Sequence, residues 1–491
     1  MGHKKLSELG LRATAGGDVS VSGLAVDSRL VKEGMLFAAL PGTAVHGGAF
    51  IQYALRMGAS AVLTDAEGAK LAEAELAASD AALIVSENPR QVLAYTAALW
   101  FGAQPETMIA VTGTNGKTSV SSFARMIWQE LGLRAVNLGT TGVEGDWSAP
   151  LAHTTPEPIT LHRTLAAASE AGITHAAMEA SSHGLSQYRL DGVQLAAAGF
   201  TNFTQDHLDY HATFEEYFDA KAALFGRVLG DDGVAVINID DPRGPDMAAI
   251  AQKREIEVIS VGRMEGADIQ LTAQRFHGMG QEVFFKHNSR SYRADLKLMG
   301  GFQAENVLLA AGLVIAAGED PQAVFETLDH METVRGRMQL AATRDNGATV
   351  FVDYSHTPDA IATALQAMRP HIPGRIIAII GAGGDRDTSK RPLMGAAAAE
   401  HADIVIVTDD NPRSEAPADI RAAVLKGCPE AYEVGDRAEA ILRGVDLLQA
   451  GDALLIAGKG HETGQTIGDT VLPFDDVEQA SVAVAALEGR I

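Results

Sequence analysis

VTGTNGKTS, residues 111–119, sets a glycine-rich turn between the apolar run MIAVTG (108–113) and a stretch of helical periodicity. Val120, Phe123, Ala124, Ile127 and Leu131 recur at the spacing of one helix face, and Gly132 stands where a C-terminal cap belongs. Strand, tight turn and helix in that order leave backbone N–H groups pointing outward at the helix start, where the macrodipole favours negative charge. Phosphate oxygens suit that place. Lys117 reaches toward terminal phosphates, and Thr118 offers a hydroxyl to Mg²⁺. The strict pattern GxxxxGKS/T asks for glycine at 111, where this chain has Val111. The candidate phosphate-binding residues are Gly113, Thr114, Asn115, Gly116, Lys117, Thr118 and Ser119. The bland alternative is a βα turn with no ligand, but folding alone gives no reason for this lysine and threonine.

Beyond the turn, THAAMEA (174–180), LAAAGFTNF (195–203), GVAVINID (233–240) and EVISVG (257–262) alternate with helical stretches. That alternation predicts βαβ units around a mainly parallel sheet. VLLAAGLVIAA (307–317) is too short to span a bilayer and reads as a buried helix. From residue 335, RIIAIIGAGG, DIVIVTDD, AYEVGD and ALLIAGKG read as strands ending in polar or glycine-rich turns, a second doubly wound pattern. Before residue 104, MLFAAL, SAVLTD and AALIVS read as strands of a smaller unit. The expected fold is therefore three-domain α/β. A small α/β unit spans 1–103, a central P-loop unit with a mainly parallel sheet spans 104–334, and a Rossmann-like unit spans 335–491. A chain of 491 residues accommodates three such units.

The formal charge of −24 repels phosphate backbones and anionic lipids, which argues against nucleic-acid and membrane partners. An anionic small substrate then needs local Arg and Lys residues. Cys428 is the only cysteine, so neither an internal disulfide nor a Cys-rich metal site is available. The start, MGHKKLSELG, has no apolar run after its lysines and does not read as a secretory signal. The expectation is a soluble, cytoplasmic protein acting as a monomer.

Further motifs are DSR (27–29), TTPE (154–157), EASSHGLSQYRLDG (179–192), TNFTQDHLDYH (201–211), DYSHTP (353–358), GGDRD (383–387), DNPR (410–413) and GKGHE (458–462). With TGTNGKT, their order resembles the Mur ligase family of peptidoglycan synthesis over nearly the whole chain. Within that family the resemblance is to members that add meso-2,6-diaminopimelate to UDP-N-acetylmuramoyl-L-alanyl-D-glutamate, a step of cell wall biogenesis. It implies ATP, Mg²⁺ and an acyl phosphate intermediate. Lys117, Glu179, His207 and Lys221 would be the catalytic set. Thr118, Glu179, His207 and Lys221, the last as a CO₂-derived carbamate, would hold metal. Asn306, Arg337, Asp353 and His356 would contact ATP. Ser28, Thr43, Thr154, Thr155, Ser181, Gln187 and Arg189 would contact the acceptor. Arg386, Asp410, Asn411, Pro412, Arg413, Gly458 and Glu462 would contact the amino acid. A bidentate arginine suits the distal carboxylate that distinguishes diaminopimelate from lysine.

Taken alone, several of these read otherwise. Lys221 in FDAKAALF is an ordinary solvated lysine, Asn306 a helix cap, Arg337 a surface arginine, and DNPR an Asx-Pro turn. His207 and His211 have a helical zinc spacing, but HLDYH lacks the glutamate of HExxH and no third ligand is evident. The rival functions are the lysine-adding ligase of the same family, a folate polyglutamate ligase, a P-loop kinase or GTPase, and an ATP-gated binding protein. No NKxD guanine-reading motif is present.

Overall fold

The computed structural model describes residues 2–42, 45–206 and 210–490. The strand Thr107–Thr112 lies inside a ten-stranded sheet, and its residues Met108 to Val111 are no more than 1% exposed. A strand covered on both faces needs a continuous apolar run, which is what MIAV supplies. It pairs in parallel with Ala197–Phe200 on one side and His175–Glu179 on the other. The parallel order continues to Val234–Asn238 and Glu257–Gly262, and at the opposite side to Ala135–Gly139.

Two edges depart from the parallel plan. An antiparallel meander, Ile269–His277, Gly280–His287 and Arg290–Leu296, extends one end of the sheet, and Gly142–Gly145 pairs antiparallel at the other. The sequence reading did not anticipate the meander. Its strands are half-exposed and carry charged residues on the open face, so they lack the apolar runs that marked the others.

The helix Lys117–Glu130 buries Val120, Phe123, Ala124 and Ile127 completely, as its periodicity predicts. Leu131 is only half-buried, because it follows the last helical residue. Gly132 there has φ +79° and donates its N–H to the Gln129 carbonyl at 2.9 Å. The second helix on this face, Phe302–Ala316, is buried along nearly its whole apolar run and packs into the same core.

Two smaller sheets flank the central one. Leu24–Ala25, Leu36–Ala38, Ala61–Thr64 and Ala82–Val85 form a parallel four-stranded sheet. A six-stranded sheet follows, in the order Gln339–Thr343, Thr349–Asp353, Ala453–Ala457, Ile376–Ile380, Ile404–Val407, Tyr432–Glu433, parallel except for its first pair. Each sheet has its own apolar clusters, so the fold is three-domain α/β with the large sheet in the middle. Among the described residues no helix is long and apolar enough to cross a membrane.

The last helix, Asp476–Leu487, is fastened to the start of the helix Arg437–Asp446 by a fully buried ion pair. Arg437 Nε and Nη2 donate to Asp476 Oδ1 and Oδ2 at 2.8 and 2.7 Å. Removing one partner of such a pair strands the other charge. Asp476→Ala is therefore expected to lower unfolding stability by about 3–5 kcal/mol in a denaturant titration. A loss under about 1 kcal/mol would mean the arginine reaches water and the pair does not anchor the helix.

Candidate active site

Thr112, Glu179 and Phe200 end neighbouring parallel strands on the same side of the large sheet, where α/β sheets place ligands. The turn after Thr112 closes only with glycine at two positions. A Cβ on Gly113 (φ +147°) would lie 1.8 Å from Thr201 Oγ1, and one on Gly116 (φ +85°) 2.7 Å from Asn306 Oδ1. The turn is stitched to the neighbouring strand end: Asn115 N–H donates to Asn202 Oδ1 at 2.9 Å, and Thr201 Oγ1 donates to the Asn115 carbonyl at 2.6 Å. Lys117 Nζ donates to the Gly113 and Thr114 carbonyls at 2.8 and 2.9 Å. Burial holds its ammonium below the ordinary lysine range, with Glu179 and Asp206 opposing.

A cavity of about 800 Å³ opens over this turn. Glu179 forms its floor and is almost wholly buried. Its Oε1 accepts from Thr118 Oγ1 at 3.0 Å and from Thr140 N–H at 2.8 Å; Oε2 accepts from Thr140 Oγ1 at 3.2 Å. Arg337, from beyond the second helix, donates through Nη2 to Thr118 Oγ1 at 2.9 Å and lies 4.5 Å from the Tyr354 ring centre. Arg337 is thus no surface arginine: it joins the third unit to the phosphate turn.

Lys221, in the helix Phe214–Ala223, is 1% exposed. Its Nζ donates to the Gly113 carbonyl at 2.7 Å and lies 4.5 Å from the centre of the Tyr217 ring. Burial, then the neighbouring Lys117 charge, holds its ammonium well below the ordinary lysine range. The solvated reading of this lysine does not survive.

On the other wall, Thr155 Oγ1 donates to the Glu179 carbonyl at 2.9 Å and accepts from Ser181 N–H at 3.1 Å. Thr154 Oγ1 lies 3.0 Å from Thr140 Oγ1. Arg189 donates to the Thr155 carbonyl at 2.6 Å and to Gln187 Oε1 at 2.8 Å. Thr154, Thr155, Ser181 and Arg189 line the cavity, while Gln187 stands behind Arg189. Ser28 begins a short 3₁₀ turn in the first unit and is not part of the lining. Thr43 and His207 lie outside the described residues.

The third unit brings Asp353, His356 and Arg386 to the cavity, and the helix 302–316 brings Asn306. Asn306 sits inside its helix, not at a cap, and is buried. Asp353 Oδ2 accepts from Met338 N–H at 2.7 Å and Oδ1 from Ser355 N–H at 2.9 Å, so its carboxylate braces the linker into the third unit. His356 is held below the ordinary imidazole range by burial.

A second polar cluster lies beyond Arg386, outside the cavity lining. DNPR follows the strand Ile404–Val407, and GKGHE follows Ala453–Ala457. Arg413, at φ +50°, donates through Nη1 to the Gly384 carbonyl at 2.8 Å. A Cβ on Gly383 would lie 2.8 Å from Arg413 Nη1 and 3.8 Å from Arg386 Cγ, which makes Arg413 and Arg386 neighbours across that glycine. Asn411 Nδ2 donates to Glu462 Oε2 at 2.8 Å. Gly458, at φ +115°, is pressed by the Asp410 carboxylate, 2.5 Å from where a Cβ would sit. That close approach comes from the protein itself and not from open space for a ligand.

Sequence reading missed three residues here. Lys459 is fully buried, with Nζ donating to Asn411 Oδ1 at 3.1 Å and Glu462 Oε2 at 3.0 Å. Its signal is a lysine closing the apolar run ALLIAG. Thr140 and Asn202 hold Glu179 and the phosphate turn; Asn202 lies within TNFTQDHLDYH, while nothing local marks Thr140.

Among the described residues no group of three or more His, Cys, Asp or Glu side chains converges on a metal position. The Thr118 and Glu179 oxygens do meet at 3.0 Å, a hard donor set of the kind that binds Mg²⁺ together with phosphates and water.

Comparison with known proteins agrees along the length of the chain. The descriptions "Mur ligase family, catalytic domain", "Mur ligase middle domain" and "Mur ligase, glutamate ligase domain" match residues 20–100, 111–314 and 336–460. The chain is similar to the UDP-N-acetylmuramoyl-L-alanyl-D-glutamate--2,6-diaminopimelate ligase of Bradyrhizobium diazoefficiens, at 47% identity over 95% of this chain and 96% of that one. It is 46% identical to the ligase of the same name from Caulobacter vibrioides, over 99% of both chains. A solved structure of a ligase so named aligns with a TM-score of 0.72 at 33% identity, over 99% of this chain and 100% of the other. A MurF ligase from Thermotoga maritima in complex with ADP shares the fold, with a TM-score of 0.62 at 18% identity over 95% of this chain and 98% of the other.

Proposed function

The chain belongs to the Mur ligase family, and from that premise we propose that it adds meso-2,6-diaminopimelate to UDP-N-acetylmuramoyl-L-alanyl-D-glutamate with cleavage of ATP to ADP and inorganic phosphate. It is an ATP-dependent acid–amino-acid ligase of peptidoglycan precursor synthesis. The carrying observation is the convergence of the phosphate turn, Glu179, Lys221 and Arg189 on one cavity, with the Arg413 and Glu462 cluster next to it across Arg386.

A carboxylate does not condense with an amine unaided, because its oxygen is a poor leaving group. The acceptor's carboxylate attacks the γ-phosphoryl group of ATP, ADP departs, and an acyl phosphate forms. The amine attacks the acyl carbon, loses a proton, and inorganic phosphate leaves as the amide forms. Negative charge gathers between phosphate and acyl oxygens in both steps. Lys117 and the N–H groups of the turn answer it with donors already in place, so little reorganisation is needed. Thr118 and Glu179 would hold Mg²⁺, which when bound neutralises phosphate charge. Lys221 fits a carbamate: CO₂ adds to a neutral amine, which is the form its burial favours. The resulting anion would stand beside the metal position.

Each unit takes one part of the task. Residues 1–103 receive the UDP-sugar, with Ser28 and Thr43; 104–334 carry ATP and the acceptor's reacting end; 335–491 receive the amino acid. Asn306, Arg337 and His356 face the nucleotide. Arg413 and Arg386 read the distal carboxylate, and Glu462 accepts from the distal ammonium. The protein works in the cytoplasm as a monomer.

The test is incubation with ATP, Mg²⁺, the UDP-muramoyl-dipeptide and either diaminopimelate or lysine, with product mass and phosphate release as readouts. The expected result is phosphate release that needs both acceptor and diaminopimelate. A phosphorylated product without free phosphate would make it a kinase, and equal use of lysine would remove the role given to Arg413.

A further inference from the structure

Two strands, Gly464–Ile467 and Thr470–Pro473, form an antiparallel hairpin directly after GKGHE. Among the described residues it joins no larger sheet, and its one bridge outward runs from Ile467 to Arg413. The outer strand is exposed throughout. A lone two-stranded hairpin is marginally stable in water, so its inner strand needs support from its neighbours. DNPR gives that support at three of its residues. Gln465 Nε2 donates to the Asp410 carbonyl at 2.7 Å, and Thr466 N–H donates to Asn411 Oδ1 at 2.9 Å. Arg413 N–H donates to the Thr466 carbonyl at 3.1 Å, and the Arg413 carbonyl accepts from Gly468 N–H at 2.7 Å.

The same bonds hold DNPR in return. Arg413, at φ +50°, has a left-handed backbone that a residue with a side chain keeps only where its surroundings impose it. Here both of its backbone polar groups are taken by the hairpin. Asn411 accepts from the hairpin and from Lys459 while donating to Glu462, so Asn411, Arg413 and Glu462 share one frame. Among the described residues the only hairpin side chain hydrogen-bonded to DNPR is Gln465. We propose that Gln465 is a positioning residue: its amide fastens the hairpin that fixes the backbone from which Arg413 extends, and thereby sets the preference for diaminopimelate over lysine. This rests on the role given to Arg413 above. Lysine has no distal carboxylate, so a displaced Arg413 costs diaminopimelate and leaves lysine untouched.

The experiment uses the full chain with Gln465→Ala, Gln465→Glu, Arg413→Ala and the double variant Gln465→Ala/Arg413→Ala, each assayed with both amino acids. For Gln465→Ala the KM for diaminopimelate rises about three- to tenfold, the range set by one hydrogen bond. The KM values for ATP and the UDP-muramoyl-dipeptide stay put, as do kcat at saturation and kcat/KM for lysine. Gln465→Glu keeps the shape but loses the donor, so it shows the same rise. Adding Gln465→Ala to Arg413→Ala lowers selectivity no further, because both changes act on one contact. Equal loss with both amino acids, with a lowered melting temperature, would reduce Gln465 to a brace of the fold and overturn the proposal. A wild-type KM in Gln465→Glu would overturn the hydrogen bond's part, and an additive loss in the double variant would overturn action through Arg413. Selectivity lost in Arg413→Ala but kept in Gln465→Ala overturns the positioning alone; selectivity kept in Arg413→Ala overturns the pocket reading and the proposal with it.

Discussion

Lys221→Ala is expected to lose about three orders of magnitude in kcat, roughly the effect of deleting one preorganised charged group at a transition state. The side chain is buried, its Nζ touches the Gly113 carbonyl at 2.7 Å, and it adjoins Lys117. A second ammonium so close to the phosphate turn would be repelled by the first. As a neutral amine it is open to CO₂, and as a carbamate it would turn a repulsive pair into an attractive one. Short carboxylates such as formate or acetate are expected to restore part of the activity of the alanine variant, because they supply the missing anion in the space left behind. Full activity of the unrescued variant would show that no carbamate is needed. An inactive variant with a lowered melting temperature and no rescue would leave Lys221 a packing residue only.

The second large effect is expected at Arg413→Ala, where kcat/KM for diaminopimelate should fall about 10²–10³-fold, the cost of leaving a carboxylate without its charged partner. ATP binding should change little, because Arg413 is outside the cavity over the phosphate turn. The preference for diaminopimelate over lysine should narrow by a similar factor, since lysine never used this contact. Arg413→Lys should recover only part of the loss, as an ammonium cannot reproduce a two-pronged contact. Steady-state kinetics with both amino acids decides it. Unchanged diaminopimelate kinetics in Arg413→Ala would remove this residue from the pocket.

Local sequence carried the frame of the molecule. The runs at 108–113, 174–180 and 375–384 each became a buried parallel strand, because covered strands need unbroken apolar runs. The antiparallel meander at 269–296 escaped, since half-solvated strands dilute the same signal with charge. The glycines at 113 and 116 were legible because the backbone demands of a tight strand-to-helix turn are met within nine residues.

The state of individual site residues was not legible in this way. Lys221 looks like a solvated lysine in its own segment, and Lys459 was given no role. One is buried by contact with Gly113, 108 positions away, the other by Asn411, 48 positions away. Thr140 has no distinguishing neighbour, yet it holds both oxygens of Glu179. By itself the sequence determined the buried parallel strands, the glycine-rich turn and the family, because pleat, periodicity and turn chemistry are properties of neighbouring residues. Tertiary structure alone decided which side chains lost water and which charges met, because desolvation and Coulomb interaction depend on distances in space that no local pattern encodes.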